Sequence, residues 1–436
     1  MTVTPQKLDP EGFTPESDLK FDWKNCWYPV TFVQDFPSDR PYSFSIYNQP
    51  LVLFQDQTGE LICLTDRCSH RAAKLSDGQI IDGKIECLYH GWQFGSQGEC
   101  VHIPQLDPNG KIPKAACIQS YKTVKRQGII WVWLGDSEIA NVEQIPTVPY
   151  IDQPNLFRVD TVSDLPIDQT HLIENAVDPA HVYISHDRTE SVKREDAQPL
   201  IMEIVSTSVK GIEGRYRLLN VPQMPWVKLE FIAPHLVLYY FGNRLILTIY
   251  MVPLAPGRSR ILIRRSRNSS ARWFKLKPRW LEHLRQNKVL EEDLYFIKAQ
   301  EDFINQSGQT IKQTYLPLKT ADVLVMAYRK WLDQFGSELP HYQGYMTAQH
   351  DRNRTEVDLS TRYLRHTQIC SSCQKVYQTT QRVQKISLGL AIFLAALSLV
   401  LDGKASMFAV SLALLAVGIT AIASQLKERF EQESKR

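Results

Sequence analysis

The chain has little net charge: 50 Lys plus Arg against 47 Asp plus Glu, a balance of +3. So even a balance gives no electrostatic footprint for nucleic acid. Cysteine is sparse, 8 in 436 residues, too few for a disulfide scaffold. With 43% hydrophobic and 22% charged residues the chain is neither disordered nor fibrous. The opening MTVTPQKLDPEGF lacks the charged start, apolar core and small-residue cleavage pattern of a secretory signal. It is also short and acidic for an organelle transit peptide, so the soluble part is expected on the cytoplasmic side. At ~150 residues per domain the length suggests about three units.

What is present is unevenly spread. The mean hydropathy of −0.27 conceals two uncharged runs, residues 386–401 and 405–424, separated by Asp402, Gly403 and Lys404. At 1.5 Å per residue they extend ~24 and ~30 Å, so the second can cross a hydrocarbon core and the first needs Val383–Lys385 or local thinning. The expectation is a two-helix transmembrane hairpin over 383–426. Arg382 and Lys385 before it, and Lys427 and Arg429 after it, put both ends on the positive-inside face.

Cys68-Ser69-His70 is followed sixteen residues later by Cys87-Leu88-Tyr89-His90. Two thiolates and two imidazoles on paired loops can hold a zinc ion or a Rieske [2Fe–2S] cluster, which takes two cysteines on one iron and two histidines on the other. The C-x-H spacing favours the cluster, because most zinc knuckles use C-x2-C. Short alternating segments at Gln49–Phe54, Gly59–Leu64 and Gly128–Leu134 suit a small antiparallel β domain around it. Cys26, Cys63, Cys100 and Cys117 have no metal spacing and read as ordinary thiols.

A second metal motif lies in HLIENAVDPAHVYISH, residues 171–186, where His181 and His186 follow Asp178. Two histidines and a carboxylate on one face of an iron leave open positions for dioxygen and substrate. On an unbroken helix, positions five apart diverge by about 140°. The helix must therefore start or bend near Asp178–Pro179 and end before His186.

Further on, IMEIVSTSVKG, VKLEFIAPHLVLYYF, NRLILTIYMVPL and RSRILIRRS read as strands of one antiparallel sheet. RWLEHLRQNKVLEEDLYFIKAQEDFIN, residues 279–305, reads as an amphipathic helix pair carrying Glu291, Glu292, Asp293 and Asp302. Trp226, Phe231, Tyr239, Tyr240 and Phe241 are candidates for a hydrophobic funnel. Just before the hairpin stands Cys370-Ser371-Ser372-Cys373, a redox pair, half of a zinc site shared across an oligomer, or two inert thiols. Its position weights the redox reading.

The block LICLTDRCSHRAAKLSDGQIIDGKIECLYHGWQFGSQGECVHIPQ resembles the Rieske domain of ring-hydroxylating oxygenases. Together with FDWKNCWYPV, the EN-x2-DPAH block, the late C-x2-C and the hairpin, it resembles the pheophorbide a oxygenase and cell-death suppressor group. With no plastid transit peptide in view, the resemblance points to a cyanobacterial-type member in a thylakoid or plasma membrane.

The resemblance implies an α+β chain. Its expected parts are an N-terminal tail (1–20), a Rieske domain (21–137), a helix-grip catalytic domain with mononuclear Fe(II) (138–365), a CxxC linker (366–382), the hairpin (383–426) and a charged tail (427–436). It implies Cys68, His70, Cys87 and His90 on the cluster, and His181, His186 and Asp293 on the iron, Asp293 being followed seven residues on by Gln300. Asp178 would bridge a cluster histidine of a neighbouring subunit to His181, which implies a homotrimer. Asn175 would sit beside the iron. The implied reaction uses O2 and ferredoxin-derived electrons to oxygenate a chlorophyll-derived tetrapyrrole. Rival expectations are a chlorophyllide a oxygenase-like or sterol oxygenase, and, in another class, a redox-sensing membrane component using the Rieske centre and Cys370/Cys373 without turnover.

Overall fold

A computed structural model describes residues 19–148, 156–189, 192–242, 245–268, 277–347 and 358–432. Most of the expected N-terminal tail and the end of the charged tail lie outside these residues. Among the described residues the N-terminal part is built of β-strands with short 3-10 turns such as Val33–Asp35 and Lys114–Ala116. A three-stranded sheet joins Trp27–Phe32, Ile129–Trp133 and Thr123–Arg126, and two four-stranded sheets follow. One of these runs Tyr42–Ile46, Gln49–Gln55, Leu61–Thr65, Ser120–Tyr121. The other, from Gln79–Ile81 to Cys100–His102, carries the second cysteine–histidine loop.

The part expected to be catalytic is a seven-stranded antiparallel sheet ordered 156–165, 258–268, 245–255, 236–241, 227–232, 211–218, 200–208. In Leu236–Phe241, Leu236 and Leu238 join the core shared with Trp27, Trp131 and Trp133, while Val237 and Tyr239 join the core under the helices. Both faces are covered, which explains why LVLYYF is a continuous apolar run rather than an alternating one. The buried His235 ties the two parts together, its Nε2 donating to the Trp27 carbonyl at 2.8 Å.

Among the described residues seven α-helices accompany the sheet: α1 Gln169–Ala176, α2 Val182–Ser185, α3 Arg279–Ser307, α4 Ile311–Thr314, α5 Val323–Gln334, α6 Ser371–Ser398 and α7 Gly403–Glu431. Residues 279–305 form one helix, not the expected pair. α3 runs 29 residues without a break and stops at Gly308, whose φ of 64° ends it in the left-handed region. Its buried face mixes His283, Gln286, Asn287 and Asp293 with Leu294, Ile297 and Ile304, so apolar periodicity alone describes it poorly.

α6 and α7 pack against each other as a helical hairpin. Among the described residues only α7 is long and apolar enough to cross a membrane. α6 differs from the expectation in its bounds: it begins at Ser371, within the expected CxxC linker, and ends at Ser398, so its apolar part runs only from Ile386 to Ser398.

Candidate active site

The two cysteine–histidine loops are built alike. Cys68 N–H donates to the Ala73 carbonyl and Ala72 N–H donates back to Cys68; Cys87 N–H donates to Trp92 and Gly91 N–H back to Cys87. In each, the fourth residue after the cysteine turns the chain with positive φ, Ala72 at 57° and Gly91 at 75°. At Gly91 a Cβ would stand 2.8 Å from the Pro104 ring, so the close approach also demands glycine.

The loops bring the His70 and His90 rings to 4.4 Å between centroids, and His70 stacks on Trp92 at 4.6 Å. Cys68 and Cys87 are buried. Burial pushes the Cys68 thiol up to about 11, so a bound metal is what would hold it as thiolate. His70 Nδ1 is a buried nitrogen without a hydrogen-bond partner. An orphaned buried imidazole nitrogen, a second imidazole beside its ring and two buried thiols on the same pair of loops fit a Rieske cluster.

The second site sits where α1 gives way to α2. Asp168 caps α1 by accepting the Thr170 N–H, and α1 ends at Ala176. α2 is a single four-residue turn, with His181 just before it and His186 just after it. His181 keeps helical backbone angles while His186 leaves them, at φ −108° and ψ 30°, and the two rings converge with centroids 5.4 Å apart. Asp293 comes in from α3: its Oδ1 lies 3.3 Å from His186 Nε2 and 3.7 Å from His181 Nε2. The three ligand atoms lie within 4.8 Å of one another, a spacing and chemistry that fit one iron. Asn175 Nδ2 is 3.5 Å from the same His181 nitrogen.

The outer nitrogens of both imidazoles face carboxylates. Asp178 Oδ2 lies 3.4 Å from His181 Nδ1, while its Oδ1 accepts the Ala180 N–H at 2.8 Å. Glu292 Oε2 lies 3.0 Å from His186 Nδ1, and its other oxygen accepts from Thr189 at 2.8 Å. Burial by itself would push both histidines down. Asp178 and Asp293 outweigh it at His181, and Asp293 and Glu292 outweigh it at His186, so both stand above their ordinary value.

Of the other acidic residues on α3, Glu291 pairs with Arg362 and Asp302 with Lys298. Gln300 contacts Tyr315 and Glu174, two turns along from Asp293. Glu174 forms a buried pair with Arg329, which also contacts His171; nothing in the local sequence signals this network.

A cavity of about 460 Å³ opens onto Asn175, His181, His186 and Asp293, with walls that include Tyr216, Met224, Leu247, Ile249, Ile263 and Leu290. Tyr239 and Phe241 line it, whereas Phe231 is core against Tyr328 and Trp331, and Trp226 lies under Arg215 and Arg217. Cys370 and Cys373 are fully buried elsewhere, beside His283 and His366.

A Rieske [2Fe-2S] domain model matches residues 26–122, and a pheophorbide a oxygenase model matches residues 219–310. The chain is 34% identical to Protein TIC 55 of Arabidopsis thaliana, over 91% of this chain and 80% of that one. It is 31% identical to pheophorbide a oxygenase of Oryza sativa, over 88% and 78%. The chain belongs to the pheophorbide a oxygenase/TIC 55 group of Rieske non-haem iron oxygenases.

As a member of this group it is an enzyme with a Rieske [2Fe–2S] cluster and a mononuclear iron, and such oxygenases use O2 and electrons from a reductase. Other relatives include chlorophyllide a oxygenase of Arabidopsis thaliana, 29% identical over 73% of this chain and 59% of that one. Dicamba monooxygenase shares the fold, with a TM-score of 0.60 and 22% identity over 72% of this chain and 98% of that one.

Proposed function

We propose that this oxygenase binds a chlorophyll-derived tetrapyrrole, or a ring system of similar size and polarity, and oxygenates it at an iron held by His181, His186 and Asp293. The observation that carries this is the large apolar cavity ending on those three ligands. Its mostly apolar walls suit a flat apolar ring, and Asn175, His181, His186 and Asp293 stand on the same lining. When bound, the iron would supply dioxygen activation. Asn175 and Asp293 converge on the inner nitrogen of His181; Glu292 hydrogen-bonds His186 from behind, and Asp178 stands as a charge 3.4 Å behind His181. Relatives named pheophorbide a oxygenase and chlorophyllide a oxygenase support the substrate class.

Cys68, His70, Cys87 and His90 would hold the cluster. Beside His90, Leu88 and Tyr89 are 60% and 62% exposed, an apolar tip unusual for a free surface. Asp178 also borders a polar surface cavity with Glu174, Gln300 and Tyr315. Both features support docking of one protomer's cluster loops over Asp178 of the next, as in a homotrimer, with electrons from a ferredoxin-type donor.

Attachment to a membrane through α6 and α7 is supported by the outward-facing Leu399, Val400, Met407 and Phe408 at the hairpin tip and by the largely unburied α7. The chloroplastic relatives suggest a photosynthetic membrane. The test is O2 uptake by the detergent-purified, ferredoxin-reduced protein with pheophorbide a, chlorophyllide a and sterols as separate additions. Uptake stimulated by a tetrapyrrole supports the reading. Stimulation by sterols alone overturns the substrate class, and uptake unaffected by every addition favours a redox-sensing component.

A further inference from the structure

Four side chains outside the active site converge with no task in the oxygenase reaction. His283 comes from the first turns of α3, His366 from a π-helical turn at Tyr363–Thr367, Cys370 from the residue capping α6, and Cys373 from its first turn. All four are buried, at 0 to 1% exposure. One nitrogen or sulfur from each lies within 4.8 Å of the others. His283 Nδ1 is 3.4 Å from both sulfurs, and His366 Nε2 is 3.3 Å from Cys373 Sγ.

The opposite ring nitrogens decide what faces inward. His283 Nε2 lies 2.9 Å from the Asp160 carbonyl, and His366 Nδ1 lies 2.6 Å from the Val162 carbonyl. A carbonyl only accepts, so each of those nitrogens carries the hydrogen, and Nδ1 of His283 and Nε2 of His366 present lone pairs. Fixing a ligand imidazole through its second nitrogen in this way is characteristic of metal sites. Both carbonyls belong to the edge strand Leu156–Leu165, so the same contacts also cover the open edge of the sheet.

We propose that His283, His366, Cys370 and Cys373 bind one structural zinc ion within a single chain. With Zn–S near ~2.3 Å and Zn–N near ~2.0 Å, a tetrahedral ion sets its nitrogen and sulfur ligands about 3.5 Å apart. The observed 3.3 to 3.4 Å matches that spacing, whereas a two-iron cluster would spread ligands held on different irons further apart. Two thiolates neutralise a divalent cation, which suits a site without solvent contact. Four protein ligands leave no open position for dioxygen, and none of the four lines the large cavity. The site staples the start of α3, the helix that bears Glu292 and Asp293 further along, to the root of α6. Asp35 of the N-terminal part reinforces that root by accepting from Ser371 N–H and Oγ, both at 2.8 Å.

The test is metal analysis of the full-length protein, purified in detergent without added metal and dialysed against EDTA, together with zinc-edge X-ray absorption. The expected result is one zinc per chain beside the iron, with two sulfur neighbours at ~2.3 Å and two nitrogen neighbours at ~2.0 Å. Cys373→Ser should lose the zinc and keep the Rieske visible spectrum. If that variant does not fold, the absorption spectrum of the unaltered protein decides. Absence of zinc, iron bound at these four residues, zinc retained in Cys373→Ser, or a Cys370–Cys373 disulfide in the isolated protein would each overturn the proposal.

Discussion

Glu292 and His186 face each other at 3.0 Å, on the side of the imidazole away from Asp293. Adjacent residues of one helix thus address both nitrogens of one ring, Asp293 from the metal side and Glu292 from behind. Glu292→Ala should weaken iron retention by about 10- to 100-fold while leaving the Rieske spectrum intact. Iron loss against a graded chelator checks this. Unchanged retention would mean that packing alone fixes His186.

Asp178 holds the corresponding place behind His181 but is more open to its surroundings. Asp178→Asn keeps the size and one acceptor oxygen and removes the charge. Both iron sites should stay occupied, and electron transfer from cluster to iron should fall to a small fraction of its rate. Single-turnover oxidation of the reduced cluster measures it. A rate equal to that of the unaltered protein would contradict the bridging role.

Ile263 faces the cavity from the sheet, opposite α3. Ile263→Trp should fill part of the space without touching a ligand. The expected outcome is at least a tenfold rise in KM for a large ring substrate with iron content unchanged. A loss of iron instead would show that the substitution had moved α3.

Burial holds His235 down to about 4, against an ordinary 6.5. Between those values the unfolded chain takes up a proton that the folded chain refuses. Stability from this group is therefore complete above pH ~6.5 and falls as pH drops toward 4, by roughly 3 kcal/mol in all. Unfolding measured at pH 7, 5.5 and 4.5 should show a shallower decline in His235→Gln than in the unaltered protein. Parallel declines would contradict this.

The parts of the molecule differ in how far the sequence reveals them. The cluster loops are legible because Cys68, His70, Cys87 and His90 lie close in sequence and their spacing carries the chemistry. The turn at α2 is legible because the angular separation of His181 and His186 forbids a continuous helix. The division of labour between Glu292 and Asp293 is not, since it depends on how α3 is rotated against α2. Cys370 and Cys373 look like an isolated pair in sequence. His366, four residues earlier, was an available signal, but His283 lies 83 residues from it in sequence and is recruited only by the packing of α3 on the edge strand. The apolar end is legible in part: the two runs do form paired helices, and the first, already short by hydropathy, ends at Ser398, so that among the described residues α7 alone has the length and apolarity of a span.

The most direct measurement is a single turnover of the fully reduced, iron-loaded protein with 18O2 and pheophorbide a, followed by mass analysis of the pigment. The unaltered protein should give a product carrying 18O and His181→Ala none, although the variant's cluster still reduces and reoxidises. No labelled product from any tetrapyrrole, or equal labelling in His181→Ala, would contradict it.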